Sequence, residues 1–447
     1  MISGMKIIQF LGASGGVTGS SYLVTGNSNQ TILIDLGLFQ GTDDKENINT
    51  KPISFDAQNL SAAFVTHAHL DHCGRLPLLI QNGFTGKIYS TKPTKEIIYL
   101  SLMDEVAIAQ EEKKQPLFSK EDVEKTMKLF ELVAYDEQIT VGEFSITFRN
   151  AGHILGSSSI EITNNGKTIC FSGDLGNTPQ DLIAPTEYIT SANFVVMEST
   201  YGNSTHPEED VNTILQKEIN SIEHAGGTLL IPAFSIERTQ EILHRLNHLK
   251  KTNKILQETP VFLDSPLAIE VTDIFKQNPA FYNTDLQKDE NPFDFPNLIK
   301  TKTGEESKQI LKVESPKIII AGSGMMSGGR ILHHLINYLP LPTTKIIIVG
   351  YQAEKTLGRE ILEGVKNVKI YHEEVPVRAQ VTHIFSLSSH ADQPKLLEWL
   401  KHIKNVEKVF LTHGDNPQRE ELQNQIKKQT QITEVTLPLI GERYEIN

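Results

Sequence analysis

The feature that most constrains this chain is the run of residues 66–72, which reads THAHLDH and directly follows the apolar run AAFV. Three imidazoles and one carboxylate within six residues are costly to bury without partners, whereas Zn²⁺ binds His nitrogen and carboxylate oxygen. A solvated polar turn is the alternative, and it suits a single histidine better than this quartet. In an extended loop His67 and His69 can point to one side, and Asp71 and His72 to another. The pattern therefore predicts two metal ions at the end of a buried strand.

Three further candidate ligands stand at the ends of β-type runs elsewhere in the chain. They are His153 in AGHILGS, Asp174 in FSGDLG and His413 in FLTHGD. Each has a glycine next to it, which lets the backbone approach a crowded centre. A single Asp beside a Gly usually marks only a turn. Together, however, the three residues complete the number of ligands that a two-metal hydrolytic site requires, with Asp174 available to bridge the ions.

The length and the charge of the chain limit its architecture and its partners. At 447 residues it is long enough for two or three folding units. Its net charge of -13 argues against a polyanionic partner, because binding to nucleic acid without sequence preference depends on Lys and Arg at the phosphates. Residues 206–380 carry 20 Lys and Arg against 23 Asp and Glu, so the excess negative charge lies mainly outside that segment.

The sequence also indicates where such a chain works. No apolar run approaches the roughly 18 residues of a membrane-spanning helix, and the first residues turn glycine-rich before a secretory core could form. We therefore expect no membrane partner. Cys73 and Cys170 are too few for a disulfide framework, which fits a reducing cytoplasm in which both are small buried apolar residues.

Patterning divides the chain into three segments. Residues 1–205 read as short β-type runs, with two helices between residues 93 and 132 and a capping pattern from Ser119 to Asp122. Residues 206–380 alternate amphipathic helices with apolar strands, which is typical of a separate α/β domain, and their polar stretch 287–307 predicts a surface excursion. Residues 381–447 return to strands ending in His-bearing loops and complete the first domain. The predicted fold class combines α+β and α/β.

The candidate ligands, together with Asp35 in ILIDLG, resemble the metallo-β-lactamase superfamily. Six further motifs resemble its β-CASP branch, which comprises nucleic-acid nucleases such as the mRNA 3′-end-processing endonuclease and ribonuclease J. These motifs are residues 12–20 (GASGGVTGS), 198–202 (ESTYG), 232–240 (PAFSIERTQ), 323–330 (SGMMSGGR), 350–354 (GYQAE) and 389–392 (SHAD). The resemblance implies an αββα sandwich with an inserted α/β β-CASP domain.

The same resemblance implies two Zn²⁺ ions per chain with one shared carboxylate. One ion would be held by His67, His69, His153 and Asp174, and the other by Asp71, His72, Asp174 and His413. A hydroxide between the ions would attack the phosphodiester bond, because two cations lower the pKa of bound water and neutralise developing charge.

Further catalytic roles follow from the resemblance. Asp71 and Asp174 count among the catalytic residues as well as the ligands. Asp35 matches a position at which a carboxylate orients a ligating imidazole. Glu198 matches the first β-CASP motif and His390 the second, where the histidine would act near the scissile phosphate and protonate the leaving oxygen.

The resemblance also points to RNA as the substrate. His413 occupies the third β-CASP motif, where a histidine resembles the RNA-processing members and an aliphatic residue the DNA-repair members. Arg238, Ser323, Gly324 and Arg330 fit contacts to an RNA backbone, although Arg238 equally suits a solvated helix face and the glycine-rich run a simple strand-to-helix turn.

The sequence thus predicts a zinc-dependent ribonuclease acting on single-stranded RNA. Endonuclease and 5′ exonuclease modes stay open, as does a homodimer. The alternatives are a catalytically inactive RNA-processing scaffold and a small-molecule hydrolase of the wider superfamily. The scaffold is disfavoured because every ligand position is filled, and the hydrolase because the β-CASP motifs are present.

Overall fold

The computed structural model describes residues 5–41, 46–350, 352–353 and 355–446. Tyr351 and Glu354 of the GYQAE motif lie outside the described residues. The chain divides into two compact units: unit 1 is Met1–Thr205 with His390–Asn447, and unit 2 is His206–Ser389. Within the described ranges, no helix combines the length and apolar character needed to cross a membrane.

Two seven-stranded sheets form the centre of unit 1. The strands of the first sheet are β1 (Ile7–Phe10), β2 (Tyr22–Thr25), β3 (Thr31–Ile34), β4 (Leu60–Phe64), β5 (Lys87–Ser90), β6 (Phe130–Leu132) and β22 (Arg443–Glu445). Their order is β22-β1-β2-β3-β4-β5-β6. The strands of the second sheet are β7 (Gln138–Val141), β8 (Phe144–Asn150), β9 (Ser158–Asn164), β10 (Lys167–Phe171), β11 (Phe194–Met197), β20 (Lys408–Leu411) and β21 (Val435–Thr436). Their order is β21-β20-β11-β10-β9-β8-β7.

The two sheets pack face to face through an apolar core. Strand β8 buries every second residue, as expected for a strand with one face in the core. The ring centroids of Phe10 and Phe410, on opposite sheets, lie 5.2 Å apart, and those of Phe64 and Phe148 lie 6.4 Å apart. Aromatic contacts between the sheets therefore hold the sandwich together.

Helices cover the sandwich. Those described in unit 1 are α1 (Leu70–Cys73), α2 (Pro77–Gln81), α3 (Lys92–Glu111), α4 (Lys120–Lys128), α11 (Gln393–His402) and α12 (Asn416–Gln429). The two predicted helices appear as α3 and α4, and the predicted capping box of Ser119 and Asp122 is present. Helices α11 and α12 pack Trp399 and Leu422 on the outer face of the second sheet, while α3 packs on β6 of the first. The predicted αββα sandwich is confirmed.

Unit 2 is an α/β domain built on a six-stranded parallel sheet, as the alternating pattern predicted. Its strands are β12 (Thr228–Pro232), β13 (Val261–Asp264), β14 (Leu298–Lys300), β15 (Lys317–Ala321), β16 (Lys345–Val349) and β19 (Gln380–Ile384), beside the hairpin β17 (Asn367–Ile370) and β18 (Glu373–Pro376). The order is β14-β13-β15-β12-β16-β19. Its helices are α5 (Val211–Ala225), α6 (Arg238–Lys251), α7 (Pro266–Gln277), α8 (Gly304–Gln309), α9 (Ile331–Tyr338) and α10 (Leu357–Leu362).

One local prediction about unit 2 was incomplete. The polar stretch 287–307 is not only a surface excursion, because Leu298–Lys300 pairs in parallel with β13 and extends the sheet. Phe293 is also fully buried in this stretch. Pairing with β13 compensates for the weak apolar pattern of this segment. The local sequence could not reveal this pairing, because it depends on a distant strand.

The candidate metal ligands, together with Asp35 and Glu198, follow the ends of strands of unit 1. Strands β3 and β4 run parallel, as do β10, β11 and β20, so that within each sheet their carboxyl ends share an edge. Gly176 lets two of the following loops meet, because a Cβ there would lie 1.6 Å from the carbonyl oxygen of Gly152. His153 and Asp174 are thereby brought close together, although they are distant in sequence.

Arg419 anchors the end of β20. The side chain is fully buried, and its guanidinium donates from Nε to the Leu411 carbonyl (3.1 Å) and from Nη2 to the Pro438 carbonyl (2.6 Å). A third bond joins Nη1 to Oδ1 of Asn416 at 3.2 Å. This fork fixes the strand end two residues before His413.

We predict that Arg419→Leu lowers the free energy of unfolding by about 2–4 kcal/mol, because two buried carbonyl groups lose their donors. Urea denaturation followed by circular dichroism measures the change. Arg443→Leu, at an exposed position of the same unit, is the control and should stay within about 0.5 kcal/mol. Equal midpoints for the two variants would contradict the anchoring role.

Candidate metal centre

Four side chains converge from three loops of unit 1. Nδ1 of His69 lies 3.1 Å from Nε2 of His67 and 3.1 Å from Nε2 of His153. Oδ2 of Asp174 lies 3.3 Å from Nε2 of His67 and 3.6 Å from Nε2 of His153. These four donor atoms all lie within 4.8 Å of one another. The structure therefore brings together the first predicted set of ligands.

A second cluster lies on the other side of Asp174. Nε2 of His413 lies 3.2 Å from Oδ2 of Asp71. Oδ1 of Asp174 lies 3.2 Å from Nε2 of His72 and 3.6 Å from Nε2 of His413. The two carboxylate oxygens of Asp174 thus face different groups of imidazoles, which is the arrangement expected of a shared ligand.

The charge states of the first cluster suit a cation. Burial lowers the pKa of His67 to about 3 and that of His69 to about 4, and burial with the nearby His390 holds the pKa of His153 well below its usual value. Burial opposes ionisation of Asp174, but the imidazoles of His413 and His72 outweigh it and hold its pKa well below the usual range. Neutral imidazoles and an ionised carboxylate are the forms that bind metals.

Two features indicate that the donor set fits a metal ion. One nitrogen of His69 faces nitrogens of two other neutral rings, and a single proton cannot satisfy both contacts. Oδ1 of Asp174 is buried and accepts no hydrogen bond from the residues that the structure describes. Cations would satisfy these lone pairs, and imidazoles with carboxylates are the ligands that Zn²⁺ takes.

Oxygen atoms behind the histidines fix their orientation. Oγ1 of Thr66 donates to Oδ2 of Asp35 (2.8 Å) and therefore accepts from Nδ1 of His67 (3.1 Å). Oγ1 of Thr200 donates to the His413 carbonyl (3.2 Å) and accepts from Nδ1 of that ring (3.0 Å). In both rings the Nε2 lone pair then points toward the acidic side chains, as a metal ligand requires.

Asp35 holds the ring of His72 in the same way. Its Oδ2 lies 2.8 Å from Nδ1 of His72, and its Oδ1 accepts from the Thr66 amide at 2.8 Å. Burial raises the pKa of Asp35. Burial lowers the pKa of His72, but the carboxylates of Asp174 and Asp35 outweigh this effect and raise it well above its usual value. Asp35 thus contacts a candidate ligand and fixes the orientation of its ring.

His390 and Glu198 form a pair beside the metal cluster. Nδ1 of His390 lies 3.3 Å from Oε1 of the fully buried Glu198, and its Nε2 lies 4.0 Å from Oδ2 of Asp174. Glu198 also accepts from the amides of Leu175 (2.7 Å) and Thr200 (3.3 Å). Burial lowers the pKa of His390, but Glu198 and Asp174 prevail and raise it to about 9. The imidazole is therefore protonated at neutral pH.

Sequence reasoning assigned no role to several hydroxyl groups of this centre. Thr66 and Thr200 stand inside the recognised motifs, and their places beside His67 and Glu198 were a usable signal. Ser20 and Ser172 also stand inside quoted motifs, GASGGVTGS and FSGDLG, but nothing in those motifs indicates the partner of either hydroxyl group. Oγ of Ser20 lies 3.2 Å from Nε2 of His72, 52 residues along the chain, and Oγ of Ser172 accepts from the Glu198 amide at 3.0 Å.

The four residues predicted to bind RNA lie in unit 2. Arg238 is buried at the first position of α6 and pairs with Glu241. Arg330 donates from Nη1 to Oδ1 of the fully buried Asp264 (2.7 Å) and from Nη2 to the Lys302 carbonyl (2.7 Å). Both guanidinium groups are thus engaged by protein groups.

Ser323 and Gly324 belong to the loop after β15. Oγ of Ser323 accepts from the amides of Ser327 (3.0 Å) and Gly328 (3.3 Å) and closes the loop on itself. Gly324 lies against the ring of Phe234: a Cβ atom at Gly324 would be only 2.6 Å from that ring. The roles of all four residues toward RNA stay predictions.

Three family models match the chain. The metallo-β-lactamase superfamily matches residues 14–210, the β-CASP domain residues 239–361, and the Zn-dependent metallo-hydrolase RNA specificity domain residues 374–438. A solved structure of a protein of unknown function from Enterococcus faecalis covers 99% of this chain and 100% of its own at a TM-score of 0.57 and 14% identity, a likeness of fold alone.

Curated relatives match over most of their length. A ribonuclease of Thermus thermophilus is 36% identical over 418 residues, which is 92% of this chain and 93% of the relative. The transcription termination factor FttA of Methanosarcina mazei is 32% identical over 436 residues, or 93% of this chain and 68% of the relative. The chain belongs to the metallo-β-lactamase superfamily, and within it to the β-CASP group.

Proposed function

We propose that the chain is a zinc-dependent ribonuclease that hydrolyses phosphodiester bonds of single-stranded RNA. The observation that carries the proposal is the buried Asp174, whose two oxygens face two separate groups of imidazoles. The similarity to a protein named a ribonuclease, and to a family described as an RNA specificity domain, supports RNA as the substrate.

Two ions would be held by the ligand sets described above, with Asp174 shared. When bound, they would activate water for attack and neutralise charge on the phosphodiester oxygens. The chain's own residues hold the ligands: Asp35 and Thr66 fix the rings of His72 and His67, and Thr200 fixes that of His413. This rigidity limits reorganisation during the reaction, which is the main protein contribution to charge stabilisation.

His390 is proposed as the proton donor to the leaving oxygen. Glu198 and Asp174 raise its pKa to about 9, and Nδ1 lies 3.3 Å from Oε1 of Glu198, so that Nε2, on the side of Asp174, is the atom that would donate toward the substrate. Glu198 therefore positions and charges the imidazole. General acid catalysis of this kind contributes roughly 10²- to 10⁴-fold in rate.

We assign the metal centre to unit 1 and RNA contacts to unit 2, which the structure bounds at His206 and Ser389. The same centre serves an internal cut or removal of nucleotides from a 5′ end. A cytoplasmic location remains part of this proposal.

The first test is metal content. The protein should contain about two zinc ions per chain, and Asp174→Ala should lose zinc and at least roughly 10³-fold in activity, because the shared ligand is gone. Plasma emission spectroscopy measures the zinc. Asp181→Ala, at an exposed position of the same region, is the matched control and should retain both ions. Asp35→Asn should be milder, with a loss of roughly 10- to 100-fold. One equivalent or less after zinc reconstitution would remove the two-metal mechanism.

The second test is substrate class. Single-stranded RNA should be cut faster than DNA of the same sequence. The rate of cleavage should fall as the salt concentration rises, because phosphate contacts release counterions. A chelator should abolish cleavage. Labelled oligonucleotides separated on gels measure the rates, with a generic ester as the control substrate. Hydrolysis of the ester alone would favour a small-molecule hydrolase, and no hydrolysis would favour an inactive scaffold.

The third test separates His390 from the ligands. His390→Ala should keep its zinc and its RNA affinity while the single-turnover rate falls by roughly 10²- to 10⁴-fold. Substrates with a better leaving group should recover a larger share of the rate. His402→Ala, in the exposed last turn of α11, serves as the control. Loss of one zinc from the His390 variant would mean that His390 is a ligand instead.

A further inference from the structure

Exposed phenylalanines are confined to one place in this protein. The chain has 19 phenylalanines, and among the described residues only Phe234 (40% exposed) and Phe385 (52%) are largely open to solvent. Phe234 follows the end of β12 by two residues, and Phe385 directly follows β19. Because all strands of this sheet are parallel, both rings lie at the same, carboxyl edge of unit 2.

This edge is where a parallel α/β sheet most often binds a ligand. After β12, the next three strands in the sequence (β13, β14 and β15) lie on one side of β12 in the sheet, and β16 and β19 lie on its other side. The strand order therefore reverses at β12, and ligands of open α/β sheets bind beyond the carboxyl ends at such a reversal. Phe234 stands at that point. Phe385 is two strands away, roughly 10 Å at normal strand spacing.

The loop that presents Phe234 is rigid. The Phe234 carbonyl accepts from both Oγ1 (2.7 Å) and the amide (3.2 Å) of Thr239, and the Ser235 carbonyl accepts from Nε2 of Gln240 at 3.1 Å. One side of the ring rests on Gly324, where any side chain would collide with it. An exposed aromatic ring held in this way loses little conformational entropy when it binds.

Phe385 is braced in a similar way. Its ring centroid lies 3.7 Å from that of His383, and Nε2 of His383 donates to the Gly350 carbonyl at 2.9 Å. The ring is thus supported by the strand end next to β12. Two fixed aromatic rings therefore project from one edge of the sheet.

The two arginines nearest this edge are engaged by carboxylates of the protein. Arg238 is paired with Glu241, and Arg330 with Asp264. Near Phe234 the surface carries hydroxyl groups, with Oγ of Ser235 and Oγ of Ser265 3.2 Å apart. A base offers both an apolar face and polar edges, which match these surroundings.

We propose that Phe234 and Phe385 form a platform on which bases of single-stranded RNA stack. The inference rests on the proposed ribonuclease function and adds a contact that selects unpaired bases, since paired bases cannot offer their faces. Stacking on an aromatic ring contributes about 1–3 kcal/mol per base and accepts any base. The contribution is therefore independent of sequence and little affected by salt.

The test compares Phe234→Leu and Phe385→Leu with Tyr371→Leu, which removes a 53% exposed ring from the β17–β18 hairpin of the same unit. Each Phe variant should raise KM for single-stranded RNA by roughly 5- to 100-fold with little change in kcat, and equally at low and high salt. Tyr371→Leu should behave as the wild type. Phe234→Trp should keep or improve KM, because the larger ring also stacks.

Substrates with single abasic sites show whether bases are what the rings bind. An abasic nucleotide moved along the RNA should raise KM of the wild type at one or two positions and should have no additional effect there in the matching Phe variant. Additive effects of the abasic site and the substitution, or unchanged KM in both Phe variants, would overturn the platform while leaving the ribonuclease intact. If the wild type cuts no RNA, the proposed function fails before the rings are tested.

Discussion

The structure of unit 1 depends on the burial of a carboxylate among imidazoles. Asp174 is almost completely inside the protein, with one oxygen toward His67 and His153 and the other toward His72 and His413. Burial alone would neutralise such a group. The surrounding rings keep it ionised, and Asp35, Thr66 and Thr200 are the partners of the outer nitrogens of His72, His67 and His413. Folding thus assembles a site whose remaining lone pairs suit cations.

Strand ends make this concentration of polar groups compatible with a stable fold. Each strand delivers its last residues to an edge where the backbone is free to turn, while its body is held in the apolar core between the sheets. Close approach of the loops depends on the absence of a side chain at Gly176, which lies against the Gly152 carbonyl. The same principle operates in unit 2, where the parallel sheet brings its loops to one edge.

The two units differ in how they use charge. In unit 1 opposite charges meet at the candidate centre, whereas in unit 2 the guanidinium groups of Arg238 and Arg330 are satisfied by Glu241 and Asp264. Arginines that a motif places near a substrate can therefore serve to hold loops. For a chain with a net charge of -13, the proposed aromatic contacts with bases would add affinity that does not depend on cations at the phosphates.

From the sequence by itself, the local patterning predicted a separate α/β domain, the polar residues at strand ends predicted seven candidate ligands, and the resemblance to the metallo-β-lactamase superfamily implied the αββα sandwich. The sequence did not reveal the strand Leu298–Lys300, whose pairing compensates for a polar sequence. Only the tertiary structure decided that Ser20 meets His72, that Arg330 is bound by Asp264, and that Phe234 and Phe385 remain exposed at one edge. The reason is physical. Burial and hydrogen-bond partners of a side chain depend on which distant segments pack beside it, and no local pattern encodes that neighbour.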